Sequence, residues 1–275
     1  VEKVARAKVQ RLCFQPLYTP MQSHRQESNG LGSSVKVLDL FSGIGGFSLG
    51  LERAGMETIA FCEFDKHAQK VLRKHWPDVP IHSDVRTLNG YDFRGTVSVV
   101  TGGFPCQDLS TAGKRIGFDG ERSSLYGEML RIISECMPRY AIFENVTGLI
   151  TGDSGRWFAK FLYDLDSIGF DAEWHCIEAA YVGAPHRRDR VWIIAYPKCQ
   201  RQPQQGRFKY AISAKKDSYR EASGLVNAFQ GESLPYVCRG HDGISKGMDR
   251  LTRLGNSVVP QIPEIIGRAI MEVAA

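Results

Sequence analysis

Cys106 stands in Gly102-Gly103-Phe104-Pro105-Cys106-Gln107-Asp108-Leu109-Ser110, directly after the apolar run Val97-Ser98-Val99-Val100. A cysteine meant for packing would sit inside an apolar run. Here a glycine pair lets the backbone turn sharply and Pro105 fixes φ just ahead of the sulfur, so the thiol is presented and fits a nucleophile. Glu144, in Glu144-Asn145-Val146, ends the strand-like run Ala141-Ile142-Phe143. A carboxyl at the mouth of an apolar strand has a raised pKa and suits a proton donor. Arg188 and Arg190, in Ala184-Pro185-His186-Arg187-Arg188-Asp189-Arg190, precede another apolar strand. Alternate residues of an extended chain face one way, so these two guanidinium groups point together, toward a carboxylate, phosphate or carbonyl oxygen. The plainer readings are an inert loop thiol, a capping glutamate and a solvated basic run. Convergence of the three groups on one edge is what separates chemistry from those alternatives.

A second set of residues suits a nucleotide-like ligand. Phe41-Ser42-Gly43-Ile44-Gly45-Gly46 follows the first strand and opens the first helix, where an open α/β sheet binds such ligands. A third glycine of the dinucleotide fingerprint would fall at Ser48, which argues against hydride transfer. Glu63 ends the second strand, at the position from which an acid reaches ribose hydroxyls. Asp84 follows the third strand and could accept from an adenine amino group while Val85 packs on the ring. Together the turn and the two acids describe an adenosine pocket.

The elements that must position these groups alternate. Strand-like residues 35–40, 58–63, 97–100, 140–144, 173–180 and 191–196 are interleaved with helical stretches 46–54, 66–75, 125–136 and 157–168. Such alternation predicts an α/β fold with a doubly wound, mostly parallel sheet, Rossmann-like, from which the chain makes a small, irregular excursion. Residues 1–34 form a polar amino-terminal arm; 35–197 the catalytic and ligand-binding domain; 198–253 the small lobe, rich in Gln, Lys and Arg. Residues 254–275 return to the sheet through a helix over 263–273, with Pro263 in its first turn and Ile265, Ile266, Ala269, Ile270 and Val273 as its buried stripe.

Composition narrows the class. A chain of 275 residues has ample material for a core, and its net charge of +5 leans mildly toward polyanions. Seven cysteines without regular spacing fit thiols in a reducing compartment better than a disulfide framework, and no CxxC pair suggests structural zinc, so no metal is expected. With no apolar run long enough for a bilayer and no signal-peptide pattern, the expectation is a cytoplasmic protein without a membrane partner.

In this order the motifs resemble the cytosine-C5 DNA methyltransferase family, over 35–196 and again 254–270. Pro105-Cys106-Gln107 is the most specific element, supported by the glycine turn, Glu144-Asn145-Val146, the Arg188/Arg190 pair and Gly255-Asn256-Ser257-Val258-Val259-Pro260. The resemblance implies S-adenosylmethionine as cofactor, held by Phe41, Ser42, Gly43, Ile44, Gly45, Gly46, Glu63, Asp84 and Val85, with Asn256 and Ser257 near its amino-acid end. It implies that Cys106 attacks C6 of a flipped cytosine in double-stranded DNA, Glu144 serves N3, and Arg190 with Arg188 contacts O2 or supports the glutamate. Pro105, Gln107, Ser110, Lys114, Arg115 and Asn145 would contact the substrate. A monomer is expected, with room for a cognate restriction endonuclease as partner. The same catalytic groups serve the tRNA-methylating branch of the family, and a non-catalytic nucleic-acid-binding relative would keep the fold. Two departures stand out: His186 where the family has glutamine, and a short 197–253 in place of a large recognition region.

Overall fold

In most of the extended segments of this chain apolar residues occupy both parities, so the central strands are buried on two faces and need helices on each side. The computed structural model describes residues 34–105, 124–184, 188–198 and 257–274. Its strands are β1 (Lys36–Leu40), β2 (Glu57–Cys62), β3 (Ile81–His82), β4 (Val99–Gly102), β5 (Tyr140–Val146), β6 (Phe170–Glu178) and β7 (Asp189–Pro197). Its helices are α1 (Gly46–Arg53), α2 (Lys66–His75), α3 (Ser124–Cys136), α4 (Gly148–Thr151), α5 (Arg156–Ser167) and α6 (Gln261–Ala274). Among the described residues the strands form one seven-stranded sheet in the order β3-β2-β1-β4-β5-β7-β6. The pairs from β3 through β5 are parallel, whereas β7 runs antiparallel to both β5 and β6.

The period of two along each strand divides the core. Leu38, Leu40, Val100, Ala141, Phe143, Val191, Ile193 and Ala195 point to the face covered by α3 and α5. Val37, Val99, Tyr140, Ile142, Trp192, Ile194 and Tyr196 point to the opposite face, covered by α1 and α6. Local chemistry sets several boundaries. Asp65 caps α2 by accepting from the His67 amide at 2.7 Å, and Arg73, Lys74 and His75 close the same helix where its dipole favours positive charge.

The expected doubly wound, mostly parallel sheet is present, with shifted boundaries. α6 starts at Gln261, so Pro263 lies inside its first turn, where a missing amide costs nothing, and Ile262 joins the buried stripe of Ile265, Ile266, Ala269 and Ile270. β6 ends at Glu178 because Ala179–Val182 tighten into a 3-10 turn closed by Gly183 at φ 84°. The arm over 1–33 and all but Lys198 of the lobe over 198–253 lie outside the described residues, as does the side chain of Val273.

α1 and α6 touch because small residues leave room. A Cβ at Gly50 would lie 2.2 Å from the Pro260 carbonyl oxygen, and one at Gly267 would lie 2.8 Å from the Ala54 Cβ. The first obstruction is backbone, so a side chain at Gly50 must push the helices apart. Gly50→Ala is expected to destabilise the protein, because overpacking of about 1–3 kcal/mol outweighs the roughly 1 kcal/mol that alanine gains in a helix. A lowered urea midpoint at unchanged m-value is the expected reading; an unchanged midpoint would mean that the contact yields freely.

Candidate active site

β4 delivers its last residues to the carboxyl edge of the sheet beside the end of β5. Neither Gly102 nor Gly103 adopts a positive φ, so the pair does not serve a sharp turn as its sequence suggests. The glycines serve space instead. A Cβ on Gly102 would lie 2.9 Å from the Met129 sulfur, and one on Gly103 would lie 3.2 Å from Glu144 Oε2. Phe104 then plugs the core at 3 % exposure, its ring near Tyr126 and stacked with Phe161. Pro105 follows at partial burial. Cys106, Gln107, Ser110, Lys114 and Arg115 lie outside the described residues, but the chain that leads into Cys106 is fixed on this edge.

Glu144 is 8 % exposed at the end of β5. The Nε of Arg190 lies 3.0 Å from its Oε1 and the Nη2 of Arg188 3.8 Å from the same oxygen. The predicted convergence of the two arginines is therefore real, and its target is this carboxylate. The attraction is Coulombic: Oε1 has no well-directed hydrogen bond among the described residues. Burial pushes the Glu144 pKa up, against the pull of Arg190 and then Arg188. Burial and the neighbouring Arg190 charge pull Arg188 down, against Glu144. A buried carboxyl with an oxygen left for another donor, next to the chain leading to a thiol, is equipped to bind or protonate a polar heterocycle.

Asn145 is anchored within the fold. It is 2 % exposed, its Nδ2 donates to the Phe104 carbonyl at 3.3 Å, and its Oδ1 accepts from the Val146 amide at 2.8 Å. Each end of the amide makes a bond within the fold, so Asn145 brackets β5 to the segment before Cys106. Periodicity could not reveal this, because the partner lies on a different strand.

The ligand-type turn after β1 is organised by Glu63. Phe41, Gly43 and Gly45 take φ of 52°, 55° and 87°. Such values cost a non-glycine residue of order 1 kcal/mol, a strain typical of binding turns. Glu63 Oε2 accepts from the Gly43 amide and Oε1 from the Asp65 amide, both at 2.7 Å. Burial raises the Glu63 pKa, against those amides. Ser42 bonds inward, its hydroxyl donating to the Asp39 carbonyl at 2.6 Å. Ile44 lies half-buried in the same turn. Gly46 opens α1 beneath the returning chain: a Cβ there would lie 2.5 Å from the Val258 carbonyl oxygen, which brings Ser257 over the turn. Asn256 lies outside the described residues. Asp84 is less available than expected, since Arg86 forks onto it through Nε at 3.0 Å and Nη2 at 2.7 Å. That hydrogen bonding depresses the Asp84 pKa. Val85 is buried in the core beneath.

Three residues here escaped the sequence reading. Phe64 directly follows Glu63 and is 76 % exposed, an apolar ring between two acids at a strand end. That placement is its signal. Trp76 packs where a Gly45 Cβ would lie, 2.5 Å from its ring, and donates from Nε1 to Glu52 at 2.7 Å. Nothing local marks it. Asp39 is fully buried and accepts from the Ser48 and Thr101 hydroxyls, both at 2.8 Å, tying α1 and β4 to β1. Burial pushes its carboxyl up to about 7, against those hydrogen bonds. Among the described residues no cluster could hold a metal ion and no helix is long and apolar enough to cross a membrane. Cys62, Cys136 and Cys176 are free thiols.

A seven-stranded sheet in this order, with one antiparallel strand inserted beside β5 and a glycine turn after β1, is the Rossmann-like methyltransferase fold. The chain belongs to the C-5 cytosine-specific DNA methylase family, whose sequence pattern matches residues 35–237. It is similar to the type II methyltransferase M.Eco47II of Escherichia coli, 38 % identical over 161 residues, or 58 % of this chain and 39 % of that protein. It is also similar to M.BsuFI of Bacillus subtilis, 35 % identical over 170 residues, 62 % of this chain and 41 % of the relative. The chain thus spans about two fifths of the length of these relatives. Among solved structures, a candidate DNA modification methyltransferase encoded within an E. coli prophage aligns with TM-score 0.53 at 29 % identity, covering 63 % of this chain and 49 % of that one. Spodoptera frugiperda DNMT2 shares the fold, with TM-score 0.51 at 21 % identity over 62 % of this chain and 53 % of that one.

The buried Asp39 carboxyl sets a pH dependence. Its folded pKa of about 7 exceeds the ordinary carboxyl value of 3.8. Between those values the folded state keeps a proton that the unfolded chain releases, so stability falls as pH rises through this window. Asp39→Asn removes the titration. The urea midpoint of the variant relative to the wild type is expected to rise between pH 5 and pH 8; a pH-independent difference would show that Asp39 is ionised in the folded protein throughout.

Proposed function

We propose that this chain carries the catalytic chemistry of an S-adenosylmethionine-dependent transfer of methyl to C5 of cytosine in double-stranded DNA. The observation that carries the reading is the convergence of Glu144, Arg188 and Arg190 beside the segment that leads into Cys106. Family membership supplies the reaction type.

The residues after β1 and β2 fit the cofactor. Gly43 has open space where a Cβ would stand, Glu63 is an acid at the ribose position, and the exposed Phe64 ring offers a face for adenine. Asp84 and Val85 are the groups proposed for the adenine side, Asp84 once Arg86 yields one oxygen, and Ser257, whose neighbour Val258 meets Gly46, is the group proposed for the amino-acid end. When bound, S-adenosylmethionine supplies an electrophilic sulfonium methyl group.

Cytosine C5 is a poor nucleophile until the ring is activated. The Cys106 thiolate adds to C6, forming a carbon–sulfur bond and driving the ring electrons toward N3 and C5. Glu144, whose pKa burial raises against the pull of Arg190 and Arg188, is the group proposed to give N3 a hydrogen bond or proton as negative charge develops there. Arg190 and Arg188 hold the carboxyl in place and offer a donor to O2. Once C5 carries the methyl group, loss of the C5 proton returns an electron pair to the ring and expels the Cys106 sulfur by β-elimination. The target base must leave the stack first, at about a few kcal/mol. Gln107, Ser110, Lys114 and Arg115 are the groups proposed to steady the flipped nucleotide and its phosphates.

Labelled methyl transfer to a mixed-sequence duplex, followed by bisulfite sequencing, tests the reading. Cytosines protected in one short context are the expected result; transfer to tRNA alone would overturn the DNA assignment. Cys106→Ala is expected to abolish transfer. Glu144→Gln is expected to lower kcat by about a hundredfold or more, with the Kd for S-adenosylmethionine within about twofold of wild type. An equal loss in both parameters would make Glu144 a structural residue.

A further inference from the structure

The loop after β3 that carries Asp84 and Val85 has little structure of its own: a 3-10 turn over Val85–Thr87 and another over Gly90–Phe93. Two side chains of α3 hold it, Arg131 foremost. Arg131 Nη2 donates to the Val85 carbonyl at 3.1 Å and to the Leu88 carbonyl at 3.0 Å. Its other nitrogens are fixed by acids on the same helix, Nε by Glu128 at 2.8 Å and Nη1 by Glu135 at 2.8 Å. Glu135 in turn accepts from the Gly90 amide at 2.8 Å, so the loop is gripped at both ends. Gly90 permits the approach: a Cβ there would lie 2.8 Å from the Glu135 Cβ and from the Ile132 carbonyl oxygen.

A planar guanidinium with its fork filled in this way fixes a loop more tightly than an exposed ion pair, because each acid removes a rotamer that the arginine could otherwise take. The carbonyls it caps belong to the turn that Asp84 opens. We infer that Arg131 is a positioning residue for the adenine side of the cofactor pocket, holding the Asp84–Val85 turn on α3 without touching the ligand. The inference rests on the S-adenosylmethionine reading above. α3 is also the first described element after Cys106, so the helix that sets the cofactor turn receives the chain returning from the thiol.

Binding of S-adenosylmethionine to the purified full chain tests this, alongside methyl transfer at saturating cofactor. In Arg131→Met the Kd is expected to rise about tenfold, less in Arg131→Lys, with kcat at saturation within about twofold of wild type. Gly90→Ala displaces the same loop with Arg131 intact and is expected to weaken binding in the same direction. Lys160→Met, which removes an ion pair to Asp164 on α5, controls for loss of a surface charge and is expected to bind like the wild type. A purely structural role would lower the thermal midpoint and active fraction but leave the Kd of the folded protein unchanged. Wild-type affinity in folded Arg131→Met and Arg131→Lys would overturn the inference alone. Absence of binding in the wild type would instead overturn the cofactor reading, and this inference with it.

Discussion

The antiparallel seating of β7 against β5 is the constraint on which the candidate active site depends. In a parallel sheet every strand brings its last residues to the ligand edge, and residues from the start of a strand are sent to the far side. β7 is reversed, with Val146 opposite Arg190 and Glu144 opposite Trp192. Its first residues therefore arrive where β5 ends. Arg188, Arg190 and Trp192 share one face by the period of two, so both guanidinium groups fall on the same side as Glu144. A buried carboxylate alone would be costly. Delivered with two cations, it is kept in place at a desolvation cost that the surrounding apolar strands of β5 and β7 offset.

A second constraint is steric. At several places two segments meet through a residue without a side chain, each beside a ligand-type position. Gly46 admits the Val258 carbonyl and so the segment bearing Ser257; Gly103 admits the Glu144 carboxylate; Gly90 admits α3. Trp76 fills the space over Gly45 from the opposite direction. The glycine turn is thus held from outside by an aromatic ring and from inside by Glu63 and Ser42. Asp39 lies under it, joining three elements through two hydroxyls. A turn held in this way keeps its shape without a ligand, the preorganisation that the proposed binding role would use.

Much of this was legible in the residue order. Apolar runs at strand length, separated by amphipathic helices, pointed to the doubly wound sheet, because strands buried on two faces need helices on both. Glu63 at a strand end, the glycine turn, and the shared facing of Arg188 and Arg190 are local patterns, and local patterns survive in sequence. The boundaries of β6 and α6 moved because a tight turn and a proline-tolerant first turn extend or cut an element without changing its apolar period.

What the sequence by itself determined was the set of groups and the period that aims them: a thiol after a strand, an acid at the end of another, two cations two residues apart. Only the tertiary structure decided who meets whom. Asn145 turned out to hold Phe104, Asp84 to share its oxygens with Arg86, and Arg131 to fasten a loop more than forty residues earlier in the chain. The first and last are contacts between distant groups, fixed by strand order and helix approach, and the second depends on a turn whose partners no period announces. A one-dimensional pattern carries the facing of a side chain but not the partner that folding sets against it, and so the chemistry could be read before the geometry that organises it.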